Sequence, residues 1–357
     1  MKVLIAMSGG VDSALAAKLM LDQGYDCIGC TMKLYQNEDA GIDRSRTCCS
    51  LEDVEDARSV AYQLGIPYYV FNFTDDFRDS VIRKFVESYQ SGITPNPCID
   101  CNRYMKFDKL NMRARVLGCD YLVTGHYARI EEHDGKFLLK KALDETKDQS
   151  YVLYAMTQDQ LAHTKFPLGS LRKAEVRQIA KQNGFVNADK SDSQDICFVP
   201  NGDYASVIQL HSKAVPPTGY FIDKQGKILG QHKGIIRYTV GQRRGLGISA
   251  DQPLYVCAIS PQSGTVVLGH ECDLFCREAE ISDFNWIGGE APHAGFRCKA
   301  KIRYRQKEQP AYAVPIGDDK VRITFDKPQR AITPGQAAVL YDGDIVLGGG
   351  TIVSGGT

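Results

Sequence analysis

A short apolar run, Lys2-Val3-Leu4-Ile5-Ala6-Met7, breaks into Ser8-Gly9-Gly10-Val11-Asp12-Ser13 and then into a helical pattern. This segment constrains the fold most. It reads as a buried strand feeding a phosphate-sized loop at the N-terminus of an amphipathic helix. Unpaired backbone N–H groups and the positive end of the helix dipole favour an anion there. Gly9 and Gly10 let the backbone approach such a group without a Cβ in the way. The Ser8 and Ser13 hydroxyls can add hydrogen bonds, and Asp12 is placed to hold a magnesium ion. No Gly-Lys-Ser/Thr follows, so the loop is not of the Walker type.

The chain has 357 residues, a length that suggests two or three domains, and 43% hydrophobic residues, enough for real cores. Its formal net charge is 0, so binding to a polyanion requires a local basic surface. No apolar stretch reaches spanning length and the start does not read as a leader, which gives a cytoplasmic, non-membrane expectation. The 12 cysteines of a long reducing-compartment chain should be partly chemical and partly small core residues. Core packing is expected for Cys27, Cys30, Cys119, Cys257 and Cys298. Cys48-Cys49 and the Cys272/Cys276 pair leave a metal pair open, although no complete ligand set accompanies them.

Strand patterns at Val3–Met7, Cys27–Met32, Tyr68–Phe73 and Tyr121–Thr124 alternate with helical patterns, as in a parallel sheet covered on both faces. One helix begins at Ser50 with a capping box and ends at Gly65, and others fit Asp76–Ser91 and Phe107–Leu117. In such sheets ligands sit beyond the C-terminal strand ends, where the Ser8–Ser13 loop, Met32 and Gly125-His126 fall. A hairpin through His133-Asp134-Gly135-Lys136 follows, then helices at Tyr151–Ala162 and Lys173–Asn183. From about Tyr204 short strands and turns suggest a small linking domain and then a β-barrel.

Thr94-Pro95-Asn96-Pro97-Cys98-Ile99-Asp100-Cys101-Asn102 predicts an extended loop, because two prolines within four residues oppose a regular helix. It presents Cys98 and Cys101. Downstream, Ser193-Gln194-Asp195-Ile196-Cys197-Phe198 sets another cysteine among polar residues, unlike a buried structural thiol. In Arg297–Lys307 every second residue is basic. On a strand, that puts six cations on one face, where a nucleic-acid backbone would relieve their repulsion.

Ser8-Gly9-Gly10-Val11-Asp12-Ser13 resembles the PP-loop of the ATP pyrophosphatases. Together with Thr94–Pro97, Cys101-Asn102, Thr124–Ala128, Lys147–Tyr151, Ser193–Phe198 and Arg303-Tyr304-Arg305, the chain is similar over nearly its whole length to the tRNA-specific 2-thiouridylases. The resemblance implies an α/β parallel-sheet PP-loop domain (1–203), a small mostly-β central domain (204–275) and a C-terminal β-barrel that binds tRNA (276–357). It implies adenylation of O2 of the wobble uridine by ATP with Mg2+, in tRNAs of the Lys, Glu and Gln types. Ala6, Met7, Ser8, Gly9, Gly10, Val11, Asp12, Ser13, Met32 and Gly125 would bind ATP. Cys197 would carry sulfur as a persulfide and Cys101 would attack Cys197, leaving a disulfide for a reductant to reopen. Asn96, Pro97 and Cys98 would contact the target base, and Lys147, Asp148, Gln149, Lys301, Arg303, Tyr304 and Arg305 the tRNA. Arg237, Arg243 and Arg244 would extend that surface. A cysteine desulfurase or sulfur-relay protein would supply the persulfide.

Many members of that family carry Asp where this chain has Cys98, which leaves the acid–base role unassigned. The substitution also creates a three-thiol set, Cys98, Cys101 and Cys197, able in principle to ligate a [4Fe–4S] cluster that delivers sulfide. A remoter alternative is a non-catalytic tRNA-binding protein on the same fold.

Overall fold

The computed structural model describes residues 1–41, 51–190, 196–199, 202–212 and 217–355. Its first part holds β1 (Lys2–Ala6), β2 (Asp26–Lys33), β3 (Tyr68–Asn72), β4 (Tyr121–Thr124), the hairpin strands β5 (Ala128–His133) and β6 (Lys136–Lys141), and β7 (Thr164–Lys165). A parallel sheet runs β3-β2-β1-β4-β7. Chain order moves outward from β1 through β2 to β3 and then returns to β1's other side with β4. Ala6 and Thr124 are register partners, so both strands open at one switch point, where such sheets bind ligands.

The helix α1 (Val11–Asp22) is not amphipathic as expected. Val11, Ser13, Ala14, Leu15, Ala16, Ala17 and Met20 are all buried, because the helices Leu51–Gln63 and Lys173–Gln182 cover it from outside the sheet. Ser50 and its capping box lie outside the described residues, as do Cys48 and Cys49. The helix after them runs Leu51–Gln63, and Gly65 follows at φ 68°. The expected helix at Tyr151–Ala162 is instead a 3-10 turn, Ser150–Leu153, and a separate helix, Gln158–Ala162, whose cap Thr157 accepts from Gln160 N.

The middle sheet is β8 (Gly219–Ile222), β9 (Ile228–His232), β10 (Tyr255–Ser260) and β11 (Thr265–Gly269), in order β10-β11-β8-β9. It is preceded by the helix Tyr204–His211. The last strands are β12 (Phe275–Trp286), β13 (Phe296–Lys301), β14 (Gln309–Pro315), β15 (Val321–Arg330), β16 (Ala337–Asp342) and β17 (Ile345–Gly355). Their order β12-β15-β14-β13-β16-β17 closes on itself through β12–β17 pairing, a barrel without free edges. The β5–β6 hairpin joins this barrel sheet, with Lys140 opposite Ile345. A segment between two strands of the parallel sheet is thus hydrogen-bonded to the C-terminal barrel.

Candidate active site

The loop after β1 is tightly built. Ser13 Oγ accepts from Ser8 N (3.1 Å) and donates to Gly10 O (2.9 Å). Gly9 sits at φ 77°, and a Cβ there would lie 2.4 Å from the Asp53 carbonyl oxygen. A Cβ on Gly125 would lie 2.9 Å from Ser13 N, so the chain end of β4 presses directly on the first turn of α1. Met7 and Val11 are core residues, and Ala6 and Met32 are partly buried. No side chain caps α1 at Gly10, which leaves its first-turn N–H groups as donors for an anion.

Asp12 has partners that sequence reasoning missed. Its carboxylate accepts from Lys173 Nζ at 2.7 and 2.8 Å and from Tyr127 Oη at 2.8 Å. Lys173 is buried, and its ammonium lies 5.7 Å from the Tyr127 ring centroid. A lysine in the first turn of a helix opposes the dipole, a signal that could have marked it. Asn187, also missed, is buried and donates to Gly9 O at 3.0 Å, orienting that peptide.

The thiol segment departs from the expected loop. Helix begins at Pro97 and continues without a break through Pro97–Asp100, a π-helical stretch Cys101–Leu110, and Asn111–Val116. Proline is tolerated in the first turn because its missing N–H would be unpaired there anyway. Asn96 supplies the cap, its side chain accepting from Cys98 N at 3.2 Å. Cys98 is exposed and Cys101 half-buried. Surrounding protein mass pushes the Cys98 pKa up, against the pull of the Lys106 ammonium. Asn102 donates to Val152 O at 3.0 Å and so ties the thiol helix to the Ser150–Leu153 turn.

Cys197 is exposed, but its backbone is fixed. Tyr35 Oη donates to its carbonyl at 2.6 Å, and the next side chain, Phe198, sits edge-on to Phe77 and Phe85 at 5.6 and 5.2 Å. Ile99 and Phe198 belong to one large apolar cluster, against which Cys101 and Ile196 also pack. Ser193, Gln194 and Asp195 lie outside the described residues. Among the described residues no three His, Cys, Asp or Glu side chains converge as a metal site, so Cys98, Cys101 and Cys197 are not gathered as cluster ligands. The Asp12 carboxylate is neutralised by Lys173 rather than held open for a cation. Of the remaining cysteines, Cys27, Cys30 and Cys119 are buried as expected, whereas Cys257 and Cys298 are only partly so.

The barrel reaches this site. Pro334 O accepts from Thr94 N, and Gln336 Nε2 donates to Thr94 O and Pro95 O at 2.9 and 3.3 Å. The basic run is a strand only to Lys301. Beyond it the chain bends, and the single-face array of six cations does not form. Arg303 turns inward, its Nη2 donating to Val240 O, Ala331 O and Thr333 Oγ1 at 3.3, 3.1 and 2.6 Å. It bolts the middle domain to the barrel. Arg305 and Tyr304 stay exposed.

Lys301 Nζ lies 5.6 and 5.7 Å from the ring centroids of Tyr151 and Tyr304. Although its side chain reaches solvent, the protein around its hydroxyl pushes the Tyr304 pKa up, and that hydroxyl is hydrogen-bonded by Gln149, with Asp148 and Cys98 close enough to act on it electrostatically. The structure therefore brings Gln149, Lys301 and Tyr304 together beside Cys98. Asp148 is engaged internally, its carboxylate accepting from Ala142 N, Ser150 N and Ser150 Oγ. Lys147 is half-buried in the same turn.

The chain matches three family models in succession. They are described as the tRNA methyl transferase HUP domain over residues 1–201, the tRNA methyl transferase PRC-barrel domain over 208–270 and the aminomethyltransferase beta-barrel domain over 276–352. It is 51% identical over 353 residues to a tRNA-specific 2-thiouridylase MnmA of Clostridioides difficile (strain 630), covering 98% of each chain. Proteins of the same name from Clostridium acetobutylicum and Acetivibrio thermocellus are 49% and 50% identical, over 98% of this chain and 99% of each of theirs. Matched from end to end at this level, the chain belongs to the family of tRNA-specific 2-thiouridylases.

Proposed function

We propose that this protein is an ATP-dependent tRNA-uridine 2-sulfurtransferase. The observation that carries the reading, beside family membership, is a convergence of three parts. An uncapped helix N-terminus lies beside a buried lysine, the thiol helix reaches through Lys106 and His126 to the strand end that presses on that N-terminus, and a barrel clamps the residues just before the first thiol.

Oxide is a poor leaving group from the uridine C2 carbonyl. O2 attacks the α-phosphorus of ATP, the bond to the β-phosphate oxygen breaks, and pyrophosphate departs. The protein's contribution is positioning and charge stabilisation. The donor set at Gly9, Gly10 and the first turn of α1, with Lys173 behind Asp12, fits a bound triphosphate. The terminal sulfur of a Cys197 persulfide then attacks C2 and AMP leaves with its oxygen. The Cys101 thiolate attacks Cys197 Sγ, the S–S bond to the transferred sulfur breaks, and 2-thiouridine is released beside a Cys101–Cys197 disulfide, which an external dithiol reduces. The target base leaves the anticodon stack to reach Asn96, Pro97 and Cys98.

Gln149, Lys301, Tyr304 and Arg305 meet the tRNA, while Lys147, Asp148 and Arg303 shape the surface that does so. The partners are tRNA and a persulfide donor of the cysteine-desulfurase or relay class. Among the described residues no helix is long and apolar enough to cross a membrane, and the proposed place of work is the cytoplasm. Neither Mg2+ at Asp12 nor an iron–sulfur cluster enters a step, because Asp12 is paired and the three sulfurs are not gathered.

The test is ATP turnover by the purified chain. With a persulfide donor and a dithiol supplied, AMP and pyrophosphate should form in equal amounts when unmodified substrate tRNA is present and not in its absence. A non-catalytic tRNA-binding protein would bind the tRNA and release neither.

A further inference from the structure

Lys106 lies on the π-helical stretch Cys101–Leu110, on the same continuous helix as Cys98 and Cys101. It is half-buried, and its Nζ donates to His126 Nε2 at 3.4 Å. His126 is buried, and its other ring nitrogen, Nδ1, lies 2.7 Å from Thr124 Oγ1. Burial, and then the neighbouring ammonium, hold the His126 pKa well below its ordinary value, so the ring is neutral. With Nε2 accepting from Lys106, the network assigns the ring proton to Nδ1, which donates to Thr124. An ammonium has three donors. Among the described residues His126 takes one, and no carboxylate pairs with Lys106. Its remaining donors are available to an incoming anion.

The place of this cation is informative. His126 follows Gly125, which presses on the Asp12–Ser13 peptide of the nucleotide loop. On its other side, the Lys106 charge acts on Cys98, which in turn acts on Tyr304 of the barrel. Lys106 therefore stands between the phosphate loop and the thiols, where the adenylate has to sit.

We propose that Lys106 is a catalytic residue that donates to a non-bridging oxygen of the α-phosphoryl group as it passes from ATP to uridine O2. The bond from O2 to the α-phosphorus forms, the bond from that phosphorus to the β-phosphate oxygen breaks, pyrophosphate keeps the electron pair, and the uridine N3 proton leaves to solvent. A fixed ammonium stabilises the charge on the phosphoryl oxygens at the transition state without reorganisation. This rests on the adenylation reading above.

The experiment measures pyrophosphate release by the full chain with ATP, an unmodified tRNA transcript, a persulfide donor and a dithiol, alongside tRNA affinity and melting temperature. Lys106→Met should lower kcat by on the order of 100-fold and leave tRNA affinity and melting temperature unchanged. Lys106→Arg, which keeps the charge with a different donor geometry, should recover roughly a tenth of the wild-type rate. Should Lys106→Met unfold, Lys106→Gln carries the same expectation. A methionine or glutamine variant with wild-type kcat overturns the proposal, as does a folded arginine variant no faster than the methionine one. A wild-type chain that releases no pyrophosphate with tRNA overturns the adenylation reading itself.

Discussion

With Cys197 replaced by alanine, tRNA-dependent release of pyrophosphate should still occur and AMP should stay on uridine O2, while thiolation falls by on the order of 10³-fold or more. The Cys197 side chain is exposed, whereas its position is set by Tyr35 at its carbonyl and by Phe198 in the core. Removing the thiol therefore takes away the sulfur carrier and leaves the fold and the nucleotide loop intact. Cys101→Ala should stop the reaction one step later. The sulfur reaches C2 but stays joined to Cys197, so the tRNA is trapped on the protein by a disulfide that a dithiol cleaves. Denaturing electrophoresis with and without reductant distinguishes the two variants. A Cys101→Ala enzyme that turns over at the wild-type rate with no trapped tRNA would remove Cys101 from the mechanism.

Asp12→Ala should cost stability as well as activity. The substitution deprives the buried ammonium of Lys173 of the carboxylate that pairs with it at 2.7 Å. The side chains are 10% exposed for Lys173 and 30% for Asp12, so solvent screens the pair only in part. Breaking a fully buried pair by removing one partner costs about 3–5 kcal/mol, and the exposure of Asp12 reduces that to about 2 kcal/mol. In a chain of this size the melting temperature should fall by several degrees. Adding Lys173→Met should recover the stability and not the pyrophosphate release, because the cation behind the phosphate loop is then gone as well. Unchanged melting of Asp12→Ala would show that the pair contributes nothing to the fold.

What could be read along the chain was local. The β1 strand, the Gly9-Gly10 turn and α1 follow from short-range chemistry and stand where the pattern puts them. The error at Pro95–Cys101 came from treating two prolines as one prohibition: Pro97 starts a helix because the first turn needs no N–H from it. The basic run misled for the opposite reason. Cys298 and Ala300 keep the strand alternation to Lys301, but Arg303 finds three oxygen acceptors in two domains and turns inward. No spacing rule encodes such partners. The pairing of Asp12 with Lys173, 161 residues away, and of Lys106 with His126 on another element, were invisible for that reason. Both are cation contacts that only the folded sheet brings together, and both lie at the site where phosphate charge would be handled.

Mass spectrometry of tRNA nucleosides from cells with and without this chain tests the central claim most directly. Its loss should eliminate 2-thiouridine derivatives, and the intact chain should restore them where Cys101→Ala does not. Persistence of 2-thiouridine without the chain, or full restoration by Cys101→Ala, would contradict the account.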